Sequence, residues 1–359
     1  MLVSTGAVPV AALLLAGVAL APVAPVPTGA AAADRAPVVT TTGGAAAEHV
    51  VAISVDGLNP RALSMLTPAE IPGFTRLARD GASTLNGRTV VERTQTLPNH
   101  TSMVTSRRVL GVHGTGVVFN EDPGTTVHES AGEYVPSVFD VVHDRGRRTG
   151  LFATKTKFAF LDRSWNAANG ATDETGPDDG RDKVDVFGVS TSTTATTRLL
   201  QQLRGETPPA FSLLHLRDPD SAGHADGWLS EPYLQAVRDA DVQVLRVLRA
   251  VARDPGLRAD TVVIVTSDHG GIGISHSDTT VLADYRVAFF VWGTGVAAGA
   301  DLYALNTDDR RNPRRRQPSY SATVPPIRNA EVGNLALALL GLPAIPTSRI
   351  GSDQALDVG

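Results

Sequence analysis

The feature that most constrains the fold is a set of short, nearly continuous apolar runs that recur along the chain. Residues 49–55 and 261–267 form the clearest runs, and each is followed at once by an aspartate, Asp56 or Asp268. Runs of this length are typical of strands buried on both faces of a parallel sheet. Similar runs predict further strands at 149–154, 210–216 and 285–292.

Helical patterns separate these strands. Residues 232–252 carry apolar side chains at helical spacing, and Gly81 follows a short predicted helix at 72–80. Further helices are predicted at 96–106, 135–143, 191–204 and 330–340. Because strands alternate with helices from end to end, the sequence predicts an α/β fold with a mostly parallel sheet and no second domain boundary.

Composition narrows the possible chemistry. The chain has 359 residues with a hydrophobic fraction of 42%, which suffices for a large α/β domain with a substantial core. It contains no cysteine, so disulfides, thiolate metal ligands and a cysteine nucleophile are excluded. The formal net charge is −5, so the chain lacks the global basic field that drives nucleic-acid binding, and no specific nucleic-acid binding is expected.

The N-terminal segment has the composition of a secretory signal peptide. An apolar run at residues 9–25 is broken by prolines and followed by small residues up to Ala33, where cleavage is expected. The unbroken apolar part is too short for a membrane span, so no stable anchor is expected after cleavage. No Lys or Arg precedes the run, and an alanine-rich leader is the alternative. The predicted division is a signal peptide at 1–33, a flexible linker at 34–47, a single catalytic domain at 48–350 and a tail at 351–359.

Acidic and histidine side chains follow three of the predicted strands. The carboxyl ends of parallel strands meet at one edge of a sheet, where open α/β folds place their sites. Carboxylates and neutral imidazoles are good ligands for Zn²⁺ and similar divalent ions. The candidate ligands are Asp56, Asp220, His224, Asp268, His269 and His276. Six ligands suit two ions rather than one, and two ions about 4 Å apart can hold the attacking and leaving oxygens of an in-line phosphoryl displacement.

Thr96 supplies a hydroxyl at the predicted start of a helix. A threonine hydroxyl is a weak nucleophile that metal coordination can activate. The backbone N–H groups and partial positive charge of a helix N-terminus favour a phosphate, and Pro98 is tolerated in the first turn. Thr96 is therefore the candidate nucleophile, and an ordinary helix N-cap is the alternative.

Four motifs together resemble, in order, those of the type I phosphodiesterase/nucleotide pyrophosphatase family of the alkaline phosphatase superfamily. They are Asp56-Gly57 after an apolar strand, Thr96-Leu97-Pro98-Asn99-His100, Asp218-Pro219-Asp220-Ser221-Ala222-Gly223-His224 and Ser267-Asp268-His269-Gly270. The resemblance covers roughly residues 48–350, and the loop from Gly270 to His276 resembles that of short bacterial members of the superfamily. It implies an alkaline phosphatase-like three-layer α/β/α sandwich with a mostly parallel central sheet, and a covalent phosphothreonine as intermediate.

The resemblance also implies roles for single residues. One zinc ion would be held by Asp56, Thr96, Asp268 and His269, and the other by Asp220, His224 and a later histidine. Asn120 resembles the asparagine that steadies a phosphoryl oxygen. Two features depart from the longer members. Their last histidine lies far downstream, whereas no histidine follows His276 here, and the segment from Gly114 to Asn120 looks longer than usual.

The sequence thus predicts a secreted bacterial hydrolase of small phosphate esters that uses two divalent metal ions, with phosphodiesters or nucleotide pyrophosphates favoured. A phosphomonoesterase or phosphonate hydrolase on the same site is one alternative, and a non-catalytic secreted binding protein that kept the fold is another. We interpret His100 and His113 as packing or supporting groups, and His215 as structural or exposed. Lys155 and Lys157 follow a strand end, where they either reach a phosphate or serve as ordinary surface lysines.

Overall fold

The apolar runs of the sequence form the strands of one eight-stranded sheet. In chain order the strands are β1 (His49–Val55), β2 (Ala82–Arg88), β3 (Thr149–Ala153), β4 (Val186–Val189), β5 (Phe211–Leu216), β6 (Thr261–Thr266), β7 (Arg286–Gly293) and β8 (Ala300–Asp301). Their spatial order is β4-β3-β5-β1-β6-β7-β2-β8. Only β7 runs antiparallel to its neighbours, β6 and β2, so the mostly parallel sheet predicted from the sequence is confirmed.

This computed structural model describes residues 1–4, 6–7, 46–175 and 180–359. The chain divides into two units, Met1–Val38 and Val39–Gly359, and the sheet belongs to the second. The predicted signal peptide and linker fall almost entirely outside the described residues and stay predictions. At the other end of the chain, Leu356 and Val358 are buried in the core of the second unit.

Thirteen α-helices connect the strands within the described residues. They are α1 (Pro60–Met65), α2 (Pro72–Asp80), α3 (Thr96–Thr105), α4 (Val127–Ala131), α5 (Val138–His143), α6 (Ala159–Trp165), α7 (Ser192–Leu203), α8 (Asp218–Asp226), α9 (Glu231–Arg253), α10 (Pro255–Asp260), α11 (Leu282–Tyr285), α12 (Leu302–Leu305) and α13 (Val332–Leu339). Short 3₁₀ helices span Thr156–Phe158 and Asn329–Glu331. None of the described helices is long and apolar enough to cross a membrane.

The sheet separates two hydrophobic cores, which gives three layers. Alternate residues of β1 serve opposite faces: Val50 packs in one core, and Val51 packs in the other. The first core receives helices α3, α5, α6 and α13, and the second receives α1, α2, α7 and α9. Since both faces are covered, the central strands are apolar throughout, which is why the sequence shows them as continuous runs.

Candidate active site

Three aspartates lie together at the carboxyl ends of three adjacent central strands. Asp56 follows β1, Asp220 lies in the first turn of α8 after β5, and Asp268 follows β6 shortly. The Asp220 N–H donates to the Asp56 carbonyl oxygen over 3.0 Å. Gly57, at φ +70°, permits this approach, because a Cβ there would lie 2.9 Å from the Asp220 Cα. The Gly57 N–H in turn donates to Asp268 Oδ1 over 3.0 Å.

Thr96 is the first residue of α3 and is buried. His100, one turn later, anchors this end of the helix to the sheet. Its Nδ1–H donates to the Thr96 carbonyl oxygen over 2.7 Å, and its Nε2 lies 2.8 Å from Ser54 Oγ on β1. The candidate nucleophile is thereby held beside the strand that leads to Asp56.

The six predicted ligands form two groups of three. Asp56, Asp268 and His269 are fully buried, and their ligand atoms all lie within 4.8 Å of one another. The same limit holds for the second group, Asp220, His224 and His276. The His269 and His276 rings stack at 3.6 Å between centroids, so the two groups adjoin.

The three histidines share one pattern of hydrogen bonding. Each places Nδ1 against a backbone carbonyl oxygen: His269 against Gly270 at 2.8 Å, His224 against Ile274 at 3.0 Å and His276 against Thr94 at 2.5 Å. A carbonyl oxygen only accepts, so Nδ1 carries the proton and Nε2 keeps its lone pair. All three Nε2 atoms face an aspartate oxygen of their group, at 3.3–3.8 Å. Metal-ligating histidines are usually oriented by such a hydrogen bond from the other ring nitrogen.

Four polar atoms at the centre of the site are buried without any hydrogen-bond partner among the described residues. They are Asp56 Oδ1, Asp220 Oδ1, Asp268 Oδ2 and His269 Nε2. All four are acceptors when the aspartates are ionised, and they face one another: His269 Nε2 lies 3.4 Å from Asp56 Oδ1 and 3.3 Å from Asp268 Oδ2. Converging buried acceptors without donors are costly alone, and divalent cations are the ligands that such a donor set fits.

Lys155, which follows β3, is the cation that contacts two of these carboxylates. Its Nζ lies 2.5 Å from Asp56 Oδ2, 2.6 Å from Asp220 Oδ2 and 3.4 Å from Thr96 Oγ1. Burial acts to raise the pKa of Asp56, but Lys155 and neighbouring histidines hold it well below the usual range. Burial together with the charges of Asp56 and Asp220 raises the pKa of Asp268. One ammonium therefore does not balance three ionised carboxylates, and the raised pKa of Asp268 favours its protonated form as long as no further cation is bound.

His215 is a supporting residue whose role the sequence did not reveal. It lies on β5, in register with Ser54, and is fully buried. Its Nε2–H donates to Asp56 Oδ2 over 2.8 Å, and Nδ1 lies 2.8 Å from Thr154 Oγ1. Burial lowers its pKa, so the ring is neutral and fixes the direction of the Asp56 carboxylate. The feature of the sequence that could have indicated this role is a histidine within an otherwise apolar strand, which pairs with β1.

The Asn120 side chain lies beside the first turn of α3. Its Oδ1 accepts from the Leu97 N–H over 3.0 Å, which leaves its Nδ2 without an acceptor among the described residues. Lys157 donates to the Asn120 carbonyl oxygen and to Glu121. In contrast, His113 lies away from the two groups and pairs with Glu133 at 3.0 Å.

Two curated proteins, the same family member from two organisms, are similar to this chain in sequence. The chain is 26% identical over 206 residues to ectonucleotide pyrophosphatase/phosphodiesterase family member 1 of Rattus norvegicus, and equally to that of Mus musculus. These matches cover 56% of the chain but 21% of each relative, so the chain spans about a fifth of the curated relatives' length.

Solved structures show the same fold. Murine ectonucleotide pyrophosphatase/phosphodiesterase 5, as an inactive variant in complex with AMP, gives a TM-score of 0.60 at 14% identity, covering 86% of this chain and 99% of that chain. The human protein gives 0.57 at 13% identity, covering 85% and 99%. The predicted alkaline phosphatase-like fold is thereby confirmed. The sequence pattern of one family matches residues 50–323, which is more than half of the chain. The chain belongs to the type I phosphodiesterase/nucleotide pyrophosphatase family.

Proposed function

We propose that the chain is a phosphodiesterase or nucleotide pyrophosphatase that requires two divalent metal ions, with Zn²⁺ as the expected metal. The observation that carries this proposal is the pair of three-residue groups whose ligand atoms converge beside the buried hydroxyl of Thr96. Asp56, Asp268 and His269, with Thr96, would hold one ion. Asp220, His224 and His276 would hold the other. Such ions supply positive charge that activates a hydroxyl and neutralises phosphoryl oxygens.

Thr96 acts as the nucleophile in this proposal. Its Oγ1 loses its proton and forms a bond to phosphorus, while the bond from phosphorus to the leaving oxygen breaks and that oxygen takes up a proton. Water then attacks the phosphothreonine, which releases the phosphoryl group as a monoester and restores the hydroxyl. The position of Thr96 at the N-terminus of α3 favours the negative charge of the bound phosphoryl group.

Two further residues position the substrate. The Asn120 amide is oriented by the Leu97 N–H, so its Nδ2 is available to donate to a phosphoryl oxygen. Lys155 Nζ lies 3.4 Å from Thr96 Oγ1, so its ammonium stands beside the reacting oxygen. Both groups place positive charge or a donor where negative charge develops, which is the largest source of catalysis in many enzymes.

The names of the relatives favour nucleotide substrates, but one cavity favours a second candidate. An open cavity of about 840 Å³ adjoins Lys155 and Lys157 and extends to Arg217 and Ser192. No aromatic side chain is among the described residues that line it, so it offers no ring to stack a nucleobase. Three cations, against the single carboxylate of Asp218, and several hydroxyls instead suit a small anionic substituent. A phosphomonoesterase or phosphonate hydrolase is therefore the second candidate.

Secretion is also a proposal. The N-terminal apolar run with small residues up to Ala33 has signal-peptide composition. Expression of the full chain in a bacterial host, followed by N-terminal sequencing of protein from the medium, tests it. A chain that keeps its first 33 residues and stays inside the cell would contradict it.

A metal count combined with kinetics tests the catalytic proposal. We expect two ions per chain, loss of hydrolysis on EDTA treatment, and loss of nearly all turnover in Thr96→Ala. Thr101→Ala, which removes another buried hydroxyl of α3, is the matched control and should keep most activity. Bis-p-nitrophenyl phosphate, p-nitrophenyl phosphate, ATP and a phosphonate monoester rank the substrate classes. Well under two ions, with activity unchanged in Thr96→Ala, would favour a non-catalytic binding protein.

A further inference from the structure

A second cavity, of about 520 Å³, lies beside the C-terminal end of α3. Thr96 lies at the other end of this ten-residue helix, which is roughly 15 Å long at 1.5 Å per residue. Its walls come from Arg108 and Val112, which follow α3, from Arg310, and from segments at residues 319–331 and 349–353. None of the six candidate metal ligands lines it. The volume is in the range of small-molecule sites.

The cavity carries more positive than negative charge. Four arginines line it together with Glu331 and Asp353. Arg310 is paired, because it donates to Glu331 Oε2 over 2.9 and 3.0 Å. Arg328 is also satisfied, since it donates to the carbonyl oxygens of Thr89 and Pro318. The guanidinium groups of the other two arginines, Arg108 and Arg349, have no hydrogen-bond acceptor among the described residues, and the Arg108 Nε is buried.

Arg108 is nevertheless held in place. Its guanidinium carbon lies 5.7 Å from the centroid of the Tyr320 ring. Tyr320 is itself fixed, because its hydroxyl donates to Glu92 over 2.7 Å and accepts from the Val91 N–H over 3.1 Å. Gly111 makes room for the guanidinium, since a Cβ there would lie 1.5 Å from Arg108 Nη2. A positioned arginine without an acceptor is prepared to bind an anion.

The rest of the lining is largely apolar. Val112, Pro325 and Ile350 form part of the wall, and the Tyr320 ring adds an aromatic surface. Ser319 and Ser352 supply hydroxyls beside the arginines. The combination of two unpaired guanidinium groups with apolar walls suits a ligand with one charged end and one apolar end.

We propose that this cavity is a binding site for a small organic anion, whose carboxylate or phosphate head group is held by Arg108 and Arg349 and whose apolar body lies against Val112, Pro325 and Ile350. The site is separate from the catalytic centre, and its occupation does not depend on the metal ions or on Thr96.

Fluorine NMR titration of the full protein tests the proposal with three probes that share a fluorophenyl ring and differ in the head group. 4-Fluorobenzoate and 4-fluorophenylphosphonate carry the two head groups, and 4-fluorobenzamide is the neutral control. At least one anion should bind about 10-fold or more tightly than the amide, because a charged hydrogen bond contributes on that scale. The stronger anion identifies the head group.

Substitutions and EDTA treatment test whether the anion binds in this cavity or at the catalytic centre. Arg108→Gln and the exposed Arg349→Gln should each weaken anion binding about 10-fold, while Arg249→Gln on the exposed face of α9 should leave it unchanged. Binding should persist after EDTA treatment, which separates it from anions held by the catalytic metals. Equal binding of acid and amide, no binding of either anion, unchanged binding in both cavity variants, or loss on EDTA treatment would each overturn the proposal.

Discussion

The Nε2 atoms of His224 and His276 lie 3.1 Å apart, although 52 residues separate them in the chain. Each ring donates its Nδ1–H to a backbone carbonyl oxygen, so two lone pairs face each other with no proton between them. Asp220 Oδ1 lies 3.4 Å from the first nitrogen and 3.8 Å from the second. A cation bound by all three atoms would turn this repulsion into attraction.

We predict that His276→Ala loses one metal ion per chain and retains the other, because the group of Asp56, Asp268 and His269 does not include it. Hydrolysis should fall by on the order of 100-fold or more, since even residues that only support metal ligands have effects of 10–100-fold. Mass-spectrometric metal analysis and steady-state kinetics measure both. His113→Asn is the control, because this histidine pairs with Glu133. Two retained ions in His276→Ala would show that another residue completes the site.

Lys155→Met removes the ammonium that lies between Asp56 and Asp220. In EDTA-treated protein we expect the free energy of unfolding to fall by about 3 kcal/mol, since a buried carboxylate is left unpaired. With divalent ions added the loss should be smaller, because the ions supply positive charge to the same carboxylates. Urea unfolding with and without metal measures both values. Lys157→Met, whose partner Glu121 is 85% exposed, should cost less than about 1 kcal/mol. Equal losses for Lys155→Met with and without metal would contradict the prediction.

The two stacked histidines His269 and His276 should make a contribution to the stability of the metal-free protein that is lost as the pH falls below about 6.5. Burial lowers the pKa of His269 to about 4 and, together with the neighbouring His269, that of His276 to about 3. Between the unfolded pKa of about 6.5 and these values, the unfolded chain binds protons that the folded chain does not, so acid favours unfolding. Each histidine contributes about 1.4 kcal/mol per pH unit in that window.

Comparison with His276→Asn isolates one histidine. Buried aspartates with raised pKa values, Asp241, Asp268 and Asp284 among them, change the stability in the opposite direction, but they are present in both proteins and largely cancel in the difference. Urea unfolding of both proteins in EDTA, from about pH 7 to pH 5, should show a shallower decline for His276→Asn. Parallel curves would mean that His276 has an ordinary pKa in the folded protein.

The sequence predicted those parts of the fold that local pattern determines. Strand β1 and helix α2 have the predicted bounds, because a continuous apolar run and a closing glycine mark them. Strand β2 was missed, since Ala-Ser-Thr-Leu-Asn-Gly-Arg is polar and lies near the edge of the sheet. The antiparallel direction of β7 could not be predicted from local sequence pattern either, because the direction of a strand depends on its pairing with distant strands.

The candidate site likewise contains residues that the sequence predicted and residues whose role only the structure shows. The six predicted ligands meet because their strands are adjacent, a consequence of the parallel sheet. Lys155 and His215 carry no motif of their own, and their contacts with Asp56 depend on strand order and register. The aspartates could thus be recognised from the sequence, whereas the groups that balance and orient them required the structure.

Asn120 offers a test of substrate positioning that leaves the metal ligands intact. In Asn120→Ala the donor Nδ2 is lost, and we expect turnover to fall by about 100-fold with two ions retained. Asn120→Asp keeps an oxygen that accepts from the Leu97 N–H but replaces the donor by a negative charge. It should therefore lose more turnover than Asn120→Ala, because the new charge repels the phosphoryl oxygens. Metal analysis and the ratio of kcat values decide the matter. If Asn120→Asp were as active as the wild type, Asn120 would hold the start of α3 without touching the substrate.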